Sequence, residues 1–231
     1  MATFFVTGTD TDAGKTLIGQ TLLFMARQQG LSTLGIKPIA SGSVETESGL
    51  RNSDALALQR QSDPVLAYEL HNPVCFKPAI APHIAAVEAG LTLSLAGVSE
   101  ALSSSLIHEA DFRLIEGAGG WFLPLNDQGE SLSQWVISKK WPVILVIGVK
   151  LGCLNHARLT REALLSAGVT IAGWVANTVD KEMPYQQENL RTLHTLLPEP
   201  CLGEVPFLAS ADPETASAYL SLAPLLSSFV G

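Results

Sequence analysis

No apolar stretch in this chain approaches the roughly 20 residues that a bilayer demands. The longest, Trp141 to Val149, stops far short of it, so a helical membrane anchor is not expected. Cations are also scarce. Lys and Arg number 14 against 22 Asp and Glu, a formal net charge of −8. A general nucleic-acid surface needs clustered Lys and Arg and is not expected either. The three cysteines, Cys75, Cys153 and Cys201, are scattered and odd in number. They lack metal-ligand spacing, and reduced cytosolic thiols are the default for such usage. The five histidines show no paired spacing, so no structural metal is expected. No basic residue precedes Lys15 and the chain opens straight into strand-like residues, which argues against a secretory signal. Internal repeats, low-complexity tracts and long linkers are missing as well.

What is present suits one large α/β domain over residues 1–231. The chain is 47% hydrophobic and only 16% charged, a composition that fits a sheet covered by helices on both faces. Apolar strand-like runs at 3–7, 33–39, 112–116, 143–149, 171–177 and 202–205 alternate with helical stretches. Helices are expected over 15–29, 53–61, 93–110, 131–139, 155–167, 184–197 and 213–228. Such alternation is the mark of βαβ units, hence a Rossmann-like three-layer fold with a mainly parallel central sheet. Residues 41–91, rich in Pro and Ala, are the least regular.

Behind the apolar run Phe4-Phe5-Val6 comes Gly8-Thr9-Asp10-Thr11-Asp12-Ala13-Gly14-Lys15-Thr16, followed by Leu17-Ile18. Strand, glycine-bounded turn, Lys-Thr and helix together build a cradle for a nucleoside triphosphate. The turn aims backbone N–H groups inward, the helix adds its positive end, Lys15 reaches the outer phosphates and the Thr16 hydroxyl can ligate Mg²⁺. The usual four residues between the glycines are here five, residues 9–13.

Ligands of open parallel sheets bind beyond the carboxyl ends of the strands, and the unusual polar residues fall there. Lys37 closes an apolar run just before Pro38. A cation at that place either meets a γ-phosphate or anionic substrate, or packs its stem and reaches water. Ser41 is a hydroxyl donor or a turn former. Asp54 is a helix cap or a metal ligand. Glu116 ends Phe112-Arg113-Leu114-Ile115 and precedes Gly117-Ala118-Gly119-Gly120, the pattern of an acid that holds Mg²⁺ beside a phosphate. The strand-to-helix turn Lys150 to Asn155 offers free N–H groups to an anion. Within it Cys153 is expected to be structural, and Asn155 is a candidate cap. Asn177 reads an adenine edge or ends a strand.

In order along the chain, GTDTDAGKT, GIKPIASGS, LRNSDALALQ, IEGAGGW, PVILVIGVKLGCLNHA, GWVANTV and LGEVPFL resemble the dethiobiotin synthetase family over residues 3–208. The five-residue gap is a habit of that family. The resemblance implies a P-loop α/β homodimer in the cytoplasm that uses ATP and Mg²⁺ to join carbon dioxide to 7,8-diaminononanoate. It implies Lys37, Lys15 and Thr11 as catalytic groups and Thr16, Asp54 and Glu116 around the metal. The nucleotide would lie on Asp12, Ala13, Gly14, Lys15, Thr16, Leu17, Asp54, Glu116, Gly117, Ala118, Gly119, Asn177, Thr178, Pro206, Phe207, Leu208 and Glu214. Substrate would meet Ser41 and Lys37, and Gly152, Cys153 and Asn155 would receive its carboxylate from the neighbouring subunit. Asp12 departs from the family, in which Glu is frequent. Two alternatives share the P-loop. A cobyrinate-type amide synthetase normally carries a glutaminase domain for which 231 residues leave no space. A partitioning-type ATPase usually has a lysine near the start of its phosphate loop, and this loop has none before Lys15.

Overall fold

The computed structural model describes residues 1–210 and 212–227. In chain order, β1 (Ala2–Gly8), α1 (Lys15–Gln28) and β2 (Thr33–Ile36) precede an irregular region. That region holds β3 (Ile39–Ala40), β4 (Val44–Thr46), β5 (Gly49–Arg51), α2 (Ser53–Arg60), α3 (Tyr68–His71), β6 (Val74–Cys75), α4 (Pro82–Glu88), α5 (Leu95–Ala101) and α6 (Ser103–Leu106). Regular alternation resumes with β7 (Phe112–Glu116), α7 (Leu132–Lys139), β8 (Val143–Val149), α8 (Cys153–Ser166), β9 (Ile171–Thr178), α9 (Gln186–Leu196) and β10 (Cys201–Val205). The short helices α10 (Pro213–Ser217) and α11 (Ala223–Ser227) follow.

Six strands form the main sheet in the order β10-β9-β8-β1-β7-β2, and every neighbouring pair is parallel. The period-2 alternation of a strand explains how both faces are covered. Phe4 and Val6 pack with Ile18, Leu22 and Leu23 of α1, while Phe5 joins Trp121, Leu132 and Trp135 on the other face. All seven residues of β8 are buried, which accounts for its unbroken apolar sequence. Each such Phe, Ile or Leu stabilises the fold by about 1.5–3 kcal/mol when fully buried. No helix among the described residues is long and apolar enough to cross a membrane.

Three expected elements are shorter or broken. The strand expected over 33–39 stops at Ile36. It is an edge strand, Pro38 has no N–H to offer a ladder, and the Lys37 N–H turns to the His71 carbonyl (2.7 Å). The helix expected over 93–110 begins at Leu95, capped by Ser94, and breaks into α5 and α6. Ser103 Oγ donates back to the Glu100 carbonyl there (2.7 Å), the kind of local competition that weakens serine-rich helices. The helix expected over 213–228 divides because the chain between its halves is captured by β10: Ser221 N donates to the Leu202 carbonyl (2.8 Å). Ser228, its expected end, lies outside the described residues.

Candidate active site

Two left-handed residues shape the loop after β1: Asp12 at φ 59° and Gly14 at φ 92°. Asp is among the few side chains that tolerate this region. Gly14 is the N-cap of α1, and no side chain caps that end of the helix. The first-turn N–H groups therefore face the pocket as an anion site. Glycine is required at 14, since a Cβ would stand 2.0 Å from Asn177 Nδ2. That same Nδ2 donates to the Ala13 carbonyl (3.0 Å), so the end of β9 braces the loop from beneath.

At the carboxyl end of β7 an ion cluster forms around the buried Lys37 and Glu116. Lys37 Nζ lies 2.6 Å from Glu116 Oε1 and 3.0 Å from Asp54 Oδ2, and it also donates to the Gly117 carbonyl (3.2 Å). Thr16 Oγ1 donates to Glu116 Oε1 (2.8 Å). Burial alone pulls the Lys37 ammonium down, but the facing carboxylates of Glu116 and Asp54 outweigh it and hold the pKa above the lysine norm. Burial pushes Asp54 up, and Lys37 outweighs it, leaving Asp54 below the usual carboxylate range. Lys15 behaves oppositely. Burial and then the Lys37 charge lower its pKa, and its Nζ donates to the Asp10 carbonyl (3.1 Å). It is a cation ready to accept an anionic partner. The close approach behind Glu116 is possible because residue 117 is glycine: a Cβ there would come within 2.8 Å of the Phe5 ring.

These groups open on a cavity of about 410 Å³ lined by Thr11, Asp12, Gly14, Lys15, Thr16, Leu17, Lys37, Ser41, Asp54, Glu116, Ala118 and Gly119, with Ala40 and Asn52. The structure thus brings the phosphate loop, Lys37, Ser41, Asp54 and Glu116 of the sequence reading to one place. Others stand apart. Ala13 is buried under the loop, and Asn177 and Thr178 are buried at the end of β9; Thr178 Oγ1 accepts from Gln186 Nε2 (2.8 Å). Pro206, Phe207 and Leu208 follow β10, with Phe207 exposed, and Glu214 is exposed in the first turn of α10. Gly152 caps α8, Cys153 is buried and Asn155 exposed, none of them lining the Lys37 cavity.

Two polar residues, one lining the cavity and one in the phosphate loop beside it, escaped the sequence reading. Asn52 caps α2, accepting from Asp54 N (3.0 Å) and Ala55 N (3.2 Å), and its own amide donates to the Ser41 carbonyl (3.2 Å). An Asn two residues ahead of an Asp at a helix start is the signal that was available. Asp10 accepts from Thr11 N (2.8 Å) and pairs with Lys150 (2.7 Å); the hydrogen bond from Lys150 lowers its pKa. Nothing in the sequence distinguishes it from Asp12.

The donor chemistry fits a small divalent ion. Glu116 Oε2 is buried and has no hydrogen-bond partner, and Thr16 and Asp54 bring further hard oxygens to the same wall of the cavity. Mg²⁺ favours such ligands while keeping several waters. No cluster of three or more His, Cys, Asp or Glu that could hold a metal exists among the described residues.

A family model described as an AAA domain matches residues 2–215. A protein of Cellvibrio japonicus named ATP-dependent dethiobiotin synthetase BioD is 53% identical over 223 residues, spanning 96% of this chain and 97% of that one. A protein of the same name from Pseudomonas paraeruginosa is 54% identical over 225 residues, spanning 97% and 98%. Among solved structures, the MinC:MinD cell division protein complex of Aquifex aeolicus has a TM-score of 0.59 at 13% identity, covering 100% of this chain and 96% of that chain. That likeness concerns the P-loop fold alone.

Proposed function

The chain belongs to the family of ATP-dependent dethiobiotin synthetases, and from that premise we propose that it closes the ureido ring of dethiobiotin from 7,8-diaminononanoate, carbon dioxide and ATP. One amine attacks carbon dioxide, forms an N–C bond and loses a proton, giving a carbamate. A carbamate oxygen attacks the γ-phosphorus as the bond to ADP breaks. The second amine then attacks the carbonyl carbon and loses a proton, and phosphate leaves with the C–O electron pair. The single observation that carries this reading is the buried Lys37, paired with two carboxylates beside the phosphate loop. A carbamate and a γ-phosphate repel each other, and a preorganised cation at their meeting point stabilises the charge of transfer. Among the described residues the cavity wall holds no Cys or His, and none is needed, since the substrate supplies both nucleophiles.

In this reading Lys15 and Thr11 act with Lys37 on the phosphoryl group. The loop from Asp12 to Leu17 wraps the phosphates. Gly117, Ala118 and Gly119 pass along the nucleotide, and Asn177, Thr178, Pro206, Phe207, Leu208 and Glu214 take its base and ribose. Thr16, Asp54 and Glu116 would hold Mg²⁺, which when bound would neutralise phosphate charge. Ser41 positions the diamine. Gly152, Cys153 and Asn155 do not line the Lys37 cavity, and Leu151 beside them is 86% exposed. We assign them to the substrate carboxylate of a second subunit, which makes the working form a homodimer. Residues 1–231 act as one synthetase domain, and the reaction is placed in the cytoplasm.

The test is phosphate release from ATP with and without the diamine and bicarbonate, with mass detection of the cyclic urea. Release that depends on the diamine is expected. Hydrolysis indifferent to it would refute the synthetase reading.

A further inference from the structure

Lys37 lies one residue past the end of an edge strand, so no ladder holds its backbone. Both of its main-chain polar groups are nevertheless satisfied by one short segment. Its N–H donates to the His71 carbonyl (2.7 Å), and Asn72 Nδ2 donates to its carbonyl (2.7 Å). The His71 ring strengthens the clasp one step upstream. Its Nδ1 lies 2.6 Å from the Gly35 carbonyl while Leu66 N donates to Nε2 (3.3 Å), which places the ring proton on Nδ1.

From Asn72 the chain of hydrogen bonds continues to the other side of the cavity. Asn72 Oδ1 accepts from the Tyr68 hydroxyl (2.9 Å), and that hydroxyl oxygen accepts from Asn52 N (2.7 Å). Asn52 in turn caps the helix that carries Asp54 and donates to the Ser41 carbonyl. Tyr68, Asn72 and Asn52 are all buried. Burial first of all pushes the Tyr68 phenol up to about 12, so the group remains a hydroxyl that both donates and accepts. The Arg51 guanidinium sits over its ring, 4.2 Å from the centroid, fixing the ring plane.

We propose that Tyr68, together with Asn72, is a positioning residue for phosphoryl transfer. Its hydroxyl is the joint that keeps Lys37, Ser41 and Asp54, borne on three separate segments, in one arrangement. This rests on the role given to Lys37 under the proposed function. The physical reason is the tolerance of the site. An ammonium shared by two carboxylates acts at hydrogen-bond distance, and a shift of about 1 Å at a reacting centre can cost about 100-fold. Phenylalanine at 68 fills the same volume but can neither donate to Asn72 nor accept from Asn52.

The experiment is a double-mutant cycle on kcat with Tyr68→Phe, Lys37→Gln and the combined variant, each also followed by thermal melting. Tyr68→Phe alone is expected to lower kcat about tenfold, and less than about twofold when Lys37 is already Gln, since coupled residues are non-additive. A general loss of packing would instead lower both backgrounds equally. Asn72→Asp, which removes the donor to the Lys37 carbonyl, carries the same expectation and stands in if Tyr68→Phe does not fold. Equal losses in both backgrounds, or full turnover in Tyr68→Phe, overturn the proposal; so does failure of both variants to fold, which assigns the network to folding alone. Unchanged turnover in Lys37→Gln refutes the role of Lys37 itself and the clasp with it, an outcome distinct from additivity.

Discussion

Replacing Lys37 with glutamine removes the charge at the centre of the site while keeping a hydrogen-bond donor of similar length. At an effective dielectric of about 20, an ammonium 2.6 Å from Glu116 gains about 6 kcal/mol of Coulomb energy. Desolvating both ions offsets most of it, so breaking such a pair typically costs about 3–5 kcal/mol because a buried charge is left alone. Asp54 contributes less, since its side chain is 39% exposed and water screens it. A Tm lowered by about 10 °C follows for a chain of this size. The effect on rate is separate and larger. Loss of one preorganised donor at the transferring group lowers kcat by about 10²–10³. The pH profile carries the sign of each shift. Lys37 has a raised pKa, so its stabilisation is complete below the unfolded value of 10.5 and is lost as pH climbs through the higher folded value. Asp54 has a lowered pKa, so its stabilisation is present above the unfolded value of 3.8 and is lost as pH drops through the lower folded value. Lys37→Gln should therefore flatten the melting profile at both limbs. Diamine-dependent phosphate release, read beside thermal melts across pH, measures all three effects. A variant that melts normally and turns over within about twofold of the parent would refute the reasoning, because one preorganised donor at the transferring group is worth far more than that.

Gly14→Ala meets two obstacles, a left-handed φ and the amide of Asn177. It should lose about 1–3 kcal/mol of stability together with nucleotide binding, and Asn177→Ala in the same chain should restore part of the stability, as thermal melts and nucleotide titration would record. Glu116→Gln keeps an acceptor for Thr16 but weakens the oxygen set for the metal. The Mg²⁺ concentration for half-maximal turnover should rise at least about tenfold, measured by titrating Mg²⁺ at saturating ATP. Asp10→Asn preserves the acceptor for Thr11 N and loses the pairing with Lys150, whose side chain is 36% exposed. Melting should change by no more than about 1 kcal/mol; a larger loss would show that this pair, and not Asn177, braces the loop.

The parallel architecture was legible because buried strands and amphipathic helices differ in period, and because β8 is apolar throughout. The phosphate loop was legible because the cradle demands small residues and a Lys-Thr pair in fixed order. Glu116 stood out because a glycine turn follows its strand, whereas Asp54 stayed open between cap and ligand, since an acid at a helix start has an ordinary explanation. The helices over 93–110 and 213–228 were misjudged because their breaks come from competing partners. A serine hydroxyl cuts the first, and the backbone of β10 captures the second.

Residue types and spacing alone determined that a parallel α/β sheet would present a phosphate cradle, a lysine and an acid at the carboxyl ends of its strands. Those features are local, set by side-chain period, turn chemistry and the need for backbone N–H groups. Only the tertiary structure decided that Lys37 faces Glu116 and Asp54 at hydrogen-bond distance, that Asn177 underpins the loop, and that Tyr68 and Asn72 hold Lys37 where no strand partner can. Each of those contacts joins residues distant in the chain, and the low dielectric of the interior, which makes an unpaired ion so costly, acts only once folding has brought them together.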